Sequence, residues 1–347
     1  MSKRTATGLL GAALTLLLSA CSAAMVPVAP ADSSGLGRQS VHVGIAYDSA
    51  GRGDKSFNDA AAAGVDRAKQ ELLVEASEAK TQAESDDARA AALRGLAAGG
   101  SNPVIAVGFL YAAAVGKVAK EFPGTLFAII DDDSVTADNV VALLFSEEQG
   151  SYLVGVAAGL ATKRHRVGFV GGVDVPLIHK FAAGYVAGVH SVSPDVQVDV
   201  RYLTKPPDFG GFSAPAKGKA AAQQMIAGGA DVIYAAAGGS GTGVFEAATA
   251  APGHVWTIGV DSDQYATAAE AVRPHILTSM LKRVDNGVFQ EIQAFVKGDR
   301  AGGRKRYDLK VDGVGYATSN KALGPYVPGM EKARYRILSG AVRVPVS

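Results

Sequence analysis

Residues 41–73 decide the fold, and they read V-H-V-G-I-A-Y-D-S-A-G-R-G-D-K-S-F-N-D-A-A-A-A-G-V-D-R-A-K-Q-E-L-L. The stretch opens with an apolar, β-branched run at 41–47, which predicts a buried strand. A Gly-rich polar loop follows, and residues 58–73 form an alanine-rich amphipathic segment that predicts a helix. Because the same order of strand, loop and helix recurs along the chain, the sequence indicates an α/β protein with parallel sheets.

The recurring units predict a series of further elements. Short apolar runs predict strands at 104–107, 126–130, 140–145, 166–170, 196–202, 232–235, 255–260 and 276–279, with a Gly-rich strand at 313–317. Amphipathic segments predict helices at 86–98, 112–121, 147–163, 178–192, 216–227, 243–250 and 286–297, with one more helix near the C-terminus.

These elements form two series, one ending near residue 145 and one covering 150–279, which predict two doubly wound lobes. A chain that passes between the lobes near residues 145, 279 and 311 would join them through a three-segment hinge. We therefore expect residues 41–146 plus about 281–310 in the first lobe, and residues 147–280 plus about 311–347 in the second. Since ligands bind beyond the carboxyl ends of strands in open α/β sheets, we expect one cleft between the lobes.

The N-terminus has the three parts of an export signal: a basic start, an apolar stretch at 9–18 and small residues before Cys21. The run L-S-A-C at 18–21 resembles the bacterial lipobox, in which a signal peptidase cuts before the cysteine and a lipid is attached to its sulfur. Cys21 is the only cysteine of the chain, so we expect it to carry the lipid anchor. An ordinary secretory peptide with an incidental cysteine is the alternative.

Residues 21–40 are rich in Ala, Pro, Ser and Gly and carry almost no charge, which predicts a flexible tether after a signal peptide at 1–20. Removal of residues 1–20 would remove Lys3 and Arg4 and change the formal net charge from +1 to −1. A nearly neutral body without a basic run predicts no binding of nucleic acid.

Sequence motifs for catalysis are missing. The six histidines are scattered without an H-E-x-x-H motif, and no G-x-S-x-G elbow is present, so we expect no enzyme and no metal site. The loop at 48–59 has neither the Rossmann nor the P-loop glycine spacing. In that loop Ser56 and Asp59 fit a helix capping box, and Phe57 fits either a hydrophobic staple or an exposed ligand contact.

The loop D-S-A-G-R-G-D-K-S-F-N-D at 48–59 resembles the opening motif of the basic membrane protein family, the PnrA-like lipoproteins that serve ABC importers as purine nucleoside receptors. Further segments resemble the family in family order. They are F-S-E-E-Q-G-S-Y-L-V-G-V-A-A-G at 145–159, V-G-F-V-G-G-V-D at 167–174, F-A-A-G at 181–184, P-A-K-G-K at 215–219, G-V-D-S-D-Q at 259–264 and G-V-G at 313–315. The resemblance implies a fold like that of type I periplasmic binding proteins.

The resemblance also implies a nucleoside whose base lies between two phenylalanines and whose ribose is held by an aspartate and a lysine. Phe57 matches the first phenylalanine and Phe212 the second, and the alternative for Phe212 is a loop residue that fills a gap in the core. Asp261 matches the aspartate, and capping of the next helix by Asp261 or, more readily, by Asp263 is the alternative. Lys282 matches the lysine and could also neutralise a buried Asp261, whereas an isolated lysine is usually a surface residue.

Other candidates follow strands or stand in the first loop. Gly238 and Gly239 would let backbone amides approach a ligand, although a phosphate cradle is a rival interpretation and Ser240 could cap the next helix. Asp131 could accept from a base N–H, bind a hard cation or lie in a solvated turn of aspartates. Asn58 could recognise a base edge because an amide both donates and accepts. Asp48 completes the set of candidates.

We therefore expect a substrate-binding protein of an ABC importer, anchored by lipid to the outer face of the cell membrane, with a nucleoside as ligand, a permease as partner and no cofactor. Ala214 stands where relatives commonly carry an acidic residue, which affects the expected base preference. The alternatives are a receptor of the same fold for a sugar or another small polar ligand, a sensor of the same family, and a nucleoside-processing enzyme.

Overall fold

The computed structural model describes residues 40–48, 50–81 and 83–347. The predicted signal peptide, the lipidation site Cys21 and nearly all of the predicted tether lie outside these residues. None of the helices in the described ranges is long and apolar enough to span a membrane.

The strands and helices alternate along the chain. The strands are β1 (His42–Tyr47), β2 (Glu75–Lys80), β3 (Val104–Ala106), β4 (Phe127–Ile130), β5 (Val140–Phe145), β6 (Arg166–Val173), β7 (Gln197–Thr204), β8 (Val232–Ala236), β9 (Trp256–Asp261), β10 (Ile276–Lys282), β11 (Gly303–Tyr307) and β12 (Val314–Tyr316). The helices are α1 (Phe57–Glu71), α2 (Asp86–Ala98), α3 (Ala112–Glu121), α4 (Glu147–Ala161), α5 (Pro176–Val192), α6 (Pro215–Ala227), α7 (Gly241–Thr249), α8 (Gln264–Thr267), α9 (Val284–Val296) and α10 (Val327–Leu338).

The strands form two six-stranded sheets. The first has the order β11-β5-β4-β3-β1-β2 and is parallel throughout, and the second has the order β12-β10-β9-β8-β6-β7. In the second sheet only β12 is antiparallel to its neighbour, β10. Since helices connect the parallel strands, the predicted α/β class with two parallel sheets is confirmed.

The chain passes between the two sheets three times: from β5 into α4, from β10 into α9, and from β11 to β12. These passages lie side by side, because Ser146 N donates to Tyr307 O at 3.0 Å and Arg283 N donates to Gly313 O at 2.9 Å. Three adjacent segments of this kind agree with the hinge predicted from the sequence. The boundaries of the two lobes stay a prediction.

The second sheet is covered by α4 and α5, which pack closely through glycines. A Cβ added to Gly155 would lie 2.3 Å from Tyr185 O, and one added to Gly188 would lie 2.1 Å from Tyr152 O. Contacts this short exclude any side chain at these positions. The close packing fixes the N-terminus of α4, where Glu147 stands at the end of β5.

Candidate functional site

A cavity lies where the carboxyl ends of strands from both sheets meet. Its empty space is about 740 Å³, including the part that opens to solvent. All of the ligand contacts predicted from the sequence line it, and their role in binding stays a prediction. They are Asp48, Phe57, Asn58, Asp131, Phe212, Gly238, Gly239, Asp261 and Lys282.

The two predicted stacking residues reach this cavity from opposite sheets. Phe57 is the first residue of α1, after the loop that follows β1 in the first sheet. Phe212 belongs to a short 3-10 turn, after the loop that follows β7 in the second sheet. A Cβ added to Gly172 would lie 2.3 Å from Cδ1 of Phe212, so the position of this ring depends on a glycine in β6. Both phenylalanines are only partly buried, as befits rings at a cavity wall.

Two charged residues of the wall, Lys282 and Asp131, belong to a buried cluster that also includes Glu147 behind the wall. Lys282 Nζ lies 2.5 Å from Asp131 Oδ2 and 3.0 Å from Glu147 Oε1. The exposed fractions of the three side chains are only 2%, 3% and 1% respectively. The ammonium also lies 5.2 to 5.6 Å from the ring centroids of Phe57, Phe145 and Phe181. Lys282 is therefore a buried, paired cation and not a solvated surface residue.

Burial and neighbouring charges both shift the pKa values in this cluster. Burial raises the pKa of Asp131 to about 6, although the Lys282 ammonium lowers it in part. Burial by itself lowers the pKa of Lys282, but the carboxylates of Asp131, Glu147 and Asp261 outweigh it and raise this pKa above its ordinary value. The lysine thus stays charged at neutral pH, and the site holds a fixed positive charge.

Asp261 ends β9 and projects a second buried carboxylate into the cavity. Its Oδ2 accepts a hydrogen bond from Ser56 Oγ at 2.6 Å. Burial raises the pKa of Asp261 to about 6, while Lys282 and Ser56 lower it in part. The sequence suggested that Lys282 neutralises Asp261, but the direct partners of the ammonium are Asp131 and Glu147. Lys282 influences Asp261 only through its electrostatic field, which lowers the pKa of this carboxyl.

Three capping expectations have different outcomes. The predicted capping box is wrong, since Ser56 makes no side-chain cap bond and Asp59 instead accepts from the backbone of Gly53 and Lys55. Ser240 does not cap α7 either, because its Oγ donates to Gly211 O and accepts from Ala214 N.

Asp263 is the third case, and its prediction as a cap is confirmed, since it accepts from Ala266 N at 3.3 Å. Asp261, for which capping was the alternative, instead bonds to Ser56.

The true cap of α1 is Asp54. Its carboxylate accepts from the backbone N–H groups of Ser56, Asn58 and Asp59 at 2.9, 2.8 and 3.1 Å. It also accepts from Asn58 Nδ2 at 2.9 Å, and Asp48 Oδ1 accepts from the same nitrogen at 2.8 Å. The loop between β1 and α1 is therefore ordered by two carboxylates that both contact the cavity residue Asn58.

The glycines after β8 lie beside Phe212. Gly238 has a φ of +53°, a conformation that other residues rarely adopt. A Cβ at this position would lie 3.2 Å from Phe212 O, and one at Gly239 would lie 3.5 Å from the same oxygen. The two glycines thus leave room for the loop that carries Phe212. No lysine at P-loop spacing accompanies them, so a phosphate cradle has no support.

Several residues at the site were not predicted from the sequence. Asp54 lies in the loop after β1, and Phe109 follows β3. Glu147, which pairs with the lining residue Lys282, lies two residues after β5, so the rule that sites follow strand ends could have identified all three. Phe181 in α5 offered no such signal, because α5 is predicted only as an amphipathic helix. Within the described residues no group of three or more His, Cys, Asp or Glu side chains could hold a metal ion.

Comparison with known proteins identifies the family and agrees with the fold. A family model described as "ABC transporter substrate-binding protein PnrA-like" matches residues 41–347. The chain is 39% identical over 254 residues to the CD4+ T-cell-stimulating antigen of Listeria monocytogenes, covering 70% of each chain. It is 33% identical over 327 residues to the ABC transporter nucleoside-binding protein BmpA of Lactococcus lactis, covering 90% of this chain and 91% of the relative.

Two further similarities concern anchoring and architecture. An uncharacterised lipoprotein of Pyrococcus furiosus is 33% identical over 287 residues, covering 80% of this chain and 70% of the relative. Among solved structures, an ABC transporter solute-binding protein from Aeropyrum pernix superposes with a TM-score of 0.76 at 28% identity, covering 88% of this chain and 94% of that one. The family resemblance drawn from the sequence motifs is thereby confirmed.

Proposed function

The chain belongs to the PnrA-like family of ABC transporter substrate-binding proteins, and from this premise we propose that it captures a nucleoside in the cavity between its two sheets. Its family consists of binding proteins, in agreement with the prediction that the chain is not an enzyme. The observation that carries the proposal is the pairing of two phenylalanines from opposite sheets with a buried wall of Lys282, Asp131 and Asp261. This combination suits a ligand with one flat aromatic part and one polyhydroxylated part.

The base of the nucleoside stacks between Phe57 and Phe212. Stacking of a base on an aromatic side chain contributes about 1 to 3 kcal/mol and tolerates different bases. Purines are favoured over pyrimidines because their two fused rings cover more of each phenylalanine. The relative in Lactococcus lactis, named a nucleoside-binding protein, supports the class of ligand.

The ribose lies against Asp261 and Lys282. One carboxylate accepts hydrogen bonds from both hydroxyls of a cis-diol, and such charge-assisted bonds are stronger than neutral ones. The ammonium of Lys282 carries more N–H groups than its two carboxylate partners need, so it can also donate to a sugar oxygen. A ligand that contacts both sheets at once stabilises a closed arrangement about the hinge.

The protein acts outside the cytoplasm and delivers its ligand to the permease of an ABC importer. Lipid on Cys21 tethers it to the membrane, and residues 21–40 give it reach. The lipobox supports this, as does the relative in Pyrococcus furiosus that is named a lipoprotein. A tether keeps receptor and permease at a high local concentration.

Titration calorimetry of the body from residue 40 onward, with purine and pyrimidine nucleosides, free bases and ribose, tests the proposal. We expect nucleosides to bind more tightly than either of their parts. Phe57→Ala should weaken nucleoside binding about 5- to 150-fold, the factor for 1 to 3 kcal/mol of stacking. Tyr335→Ala is the matched control, because this aromatic ring is 73% exposed. Ribose binding as tight as inosine binding would contradict the stacking role.

A further inference from the structure

Asn58 is a cavity residue whose amide orientation is fixed by its neighbours. Its side chain is almost fully buried, with a relative exposure of 1% for the residue. The amide nitrogen Nδ2 donates to Asp48 Oδ1 at 2.8 Å and to Asp54 Oδ2 at 2.9 Å. Both N–H groups of the amide are thus used by carboxylates of the protein itself.

The opposite orientation of this amide is excluded by charge. Ionised carboxylates only accept hydrogen bonds, so a flipped amide would place the Asn58 oxygen against two acceptors. It would also remove the amide donor that the two carboxylates share and leave them only the backbone N–H groups of their own loop and helix start. Asp54 cannot move away to relieve this, because three backbone N–H groups at the start of α1 hold it in place.

Two acceptors therefore remain without a partner in the wall of the cavity. Asn58 Oδ1 and Asp131 Oδ1 are both buried and have no hydrogen-bond partner among the described residues. Asp131 uses only its other oxygen, Oδ2, to pair with Lys282. Both residues line the cavity, so a ligand that offers N–H groups to them would satisfy both.

We infer that Asp48 and Asp54 make Asn58 an acceptor only, and that the cavity thereby selects purines whose six-membered ring carries N–H donors over purines whose ring carries none. The inference rests on the proposed function. Guanine offers N1–H and a 2-amino group side by side, and hypoxanthine offers N1–H. Adenine offers the two N–H groups of its 6-amino group, whereas unsubstituted purine offers no N–H on this edge. Asp48 is on this view a positioning residue that sets specificity through Asn58.

Competition among four nucleosides tests the selection. We expect guanosine, inosine and adenosine each to bind at least about tenfold more tightly than purine riboside, a factor that corresponds to 1.4 kcal/mol. Purine riboside is the sharpest probe, since its base keeps the shape and the stacking area but lacks every N–H on this edge. If all four bind within about threefold of one another, the proposed function stands and the inference is overturned. If none of them binds, both are overturned.

Asp48→Asn tests the positioning role. The new amide can donate to Asn58 Oδ1, and only Asp54 then opposes a turned Asn58 amide, so the ratio of the purine riboside Kd to the inosine Kd should fall towards one. A loss of affinity that is equal for all nucleosides would show a purely structural role and would overturn the assignment. Asp195→Asn makes the same charge change at an exposed position outside the cavity and should leave the ratio unchanged.

Discussion

Asp131 and Asp261 share a left-handed backbone conformation that residues other than glycine rarely adopt, with φ values of +70° and +66°. Asp131 follows β4, and Asp261 ends β9, so one such residue stands at the cavity end of each sheet. A residue in this conformation costs of the order of 1 to 3 kcal/mol, and burial of an ionised carboxylate adds to that cost. Asp131 and Asp261 thus each combine a strained backbone with a buried carboxylate. Such a combination lowers stability and is typical of residues that bind a ligand.

Nucleoside affinity should depend on pH through Asp261. Because its pKa in the folded protein is raised to about 6, the carboxylate is ionised at pH 7.5 and becomes protonated as the pH falls through 6. Protonation removes the charge-assisted acceptance of the ribose hydroxyls. We expect affinity for inosine to be highest above pH 7 and to decrease between pH 7 and pH 5 in calorimetric titrations. A profile that stays flat over this range would contradict the ribose contact.

Asp261→Asn separates the binding role of this residue from its effect on stability. A folded-state pKa above the ordinary value of 3.8 means that folding disfavours the ionised form, so this penalty is present at pH 7.5 and absent at low pH. The amide keeps an oxygen for Ser56 and removes the charge. We expect a Tm at pH 7.5 equal to or above that of the wild type, with inosine affinity reduced tenfold or more.

The control for this variant is Asp195→Asn, which should change neither quantity. A strongly lowered Tm with normal inosine affinity would show that Asp261 serves the fold and not the ligand.

At the scale of elements, β2 and β11 were not predicted from the sequence. Their sequences, E-A-S-E-A-K and G-R-K-R-Y, have no apolar run, and these strands form the two edges of the first sheet. An edge strand is held by backbone hydrogen bonds to one neighbour and often carries charges that discourage pairing with other chains. Its residues need not be apolar, so the pattern that reveals central strands does not reveal it. Several predicted helices, by contrast, match the structure closely, and those at 86–98 and 112–121 match it to the residue.

The packing of α4 on α5 gives a prediction for stability. In Gly188→Ala the new Cβ would lie 2.1 Å from the backbone oxygen of Tyr152, and neither helix can yield without displacing the other. We expect a loss of at least about 1 to 3 kcal/mol in the free energy of unfolding, measured by urea titration. Gly95→Ala in α2 is the matched control, because its Cβ would meet nothing within 4 Å. That change should stabilise the protein by about 0.5 to 1 kcal/mol. Equal effects of the two substitutions would contradict the packing argument.

At the scale of the whole molecule, hydrogen bonds join the two sheets beside the cavity. The backbone oxygen of Lys55, before α1, accepts from Ser262 Oγ at 2.8 Å and from Gln264 Nε2 at 3.3 Å. Phe109, which follows β3 of the first sheet, packs edge-on against Phe209, which follows β7 of the second sheet, with the ring centroids 6.1 Å apart. These contacts would break if the sheets moved apart about the three-segment hinge, so they stabilise the closed arrangement.

Ser262→Ala tests this role, since Ser262 is not a cavity-lining residue. Loss of its bond to Lys55 should increase the share of open molecules without ligand and weaken inosine binding by a few fold. In small-angle X-ray scattering, the decrease of the radius of gyration on adding inosine should be larger than for the wild type. Ser339→Ala, which removes only a local bond to Arg336 O, should behave like the wild type. An unchanged scattering difference for Ser262→Ala would argue against the role of this bond in closure.

The sequence by itself determined the class of fold, the order of the central elements and the residues that gather at the cavity. Apolar periodicity reports burial directly, and loops after parallel strands must meet at one edge of a sheet. Only the tertiary structure decided which polar groups pair. Lys282 forms ion pairs with Asp131 and Glu147, and Ser56 donates to Asp261 instead of capping its own helix. Asp54 caps α1 in its place. Such pairings join residues far apart in the chain or compete within one loop, so they depend on distances that only the folded chain sets.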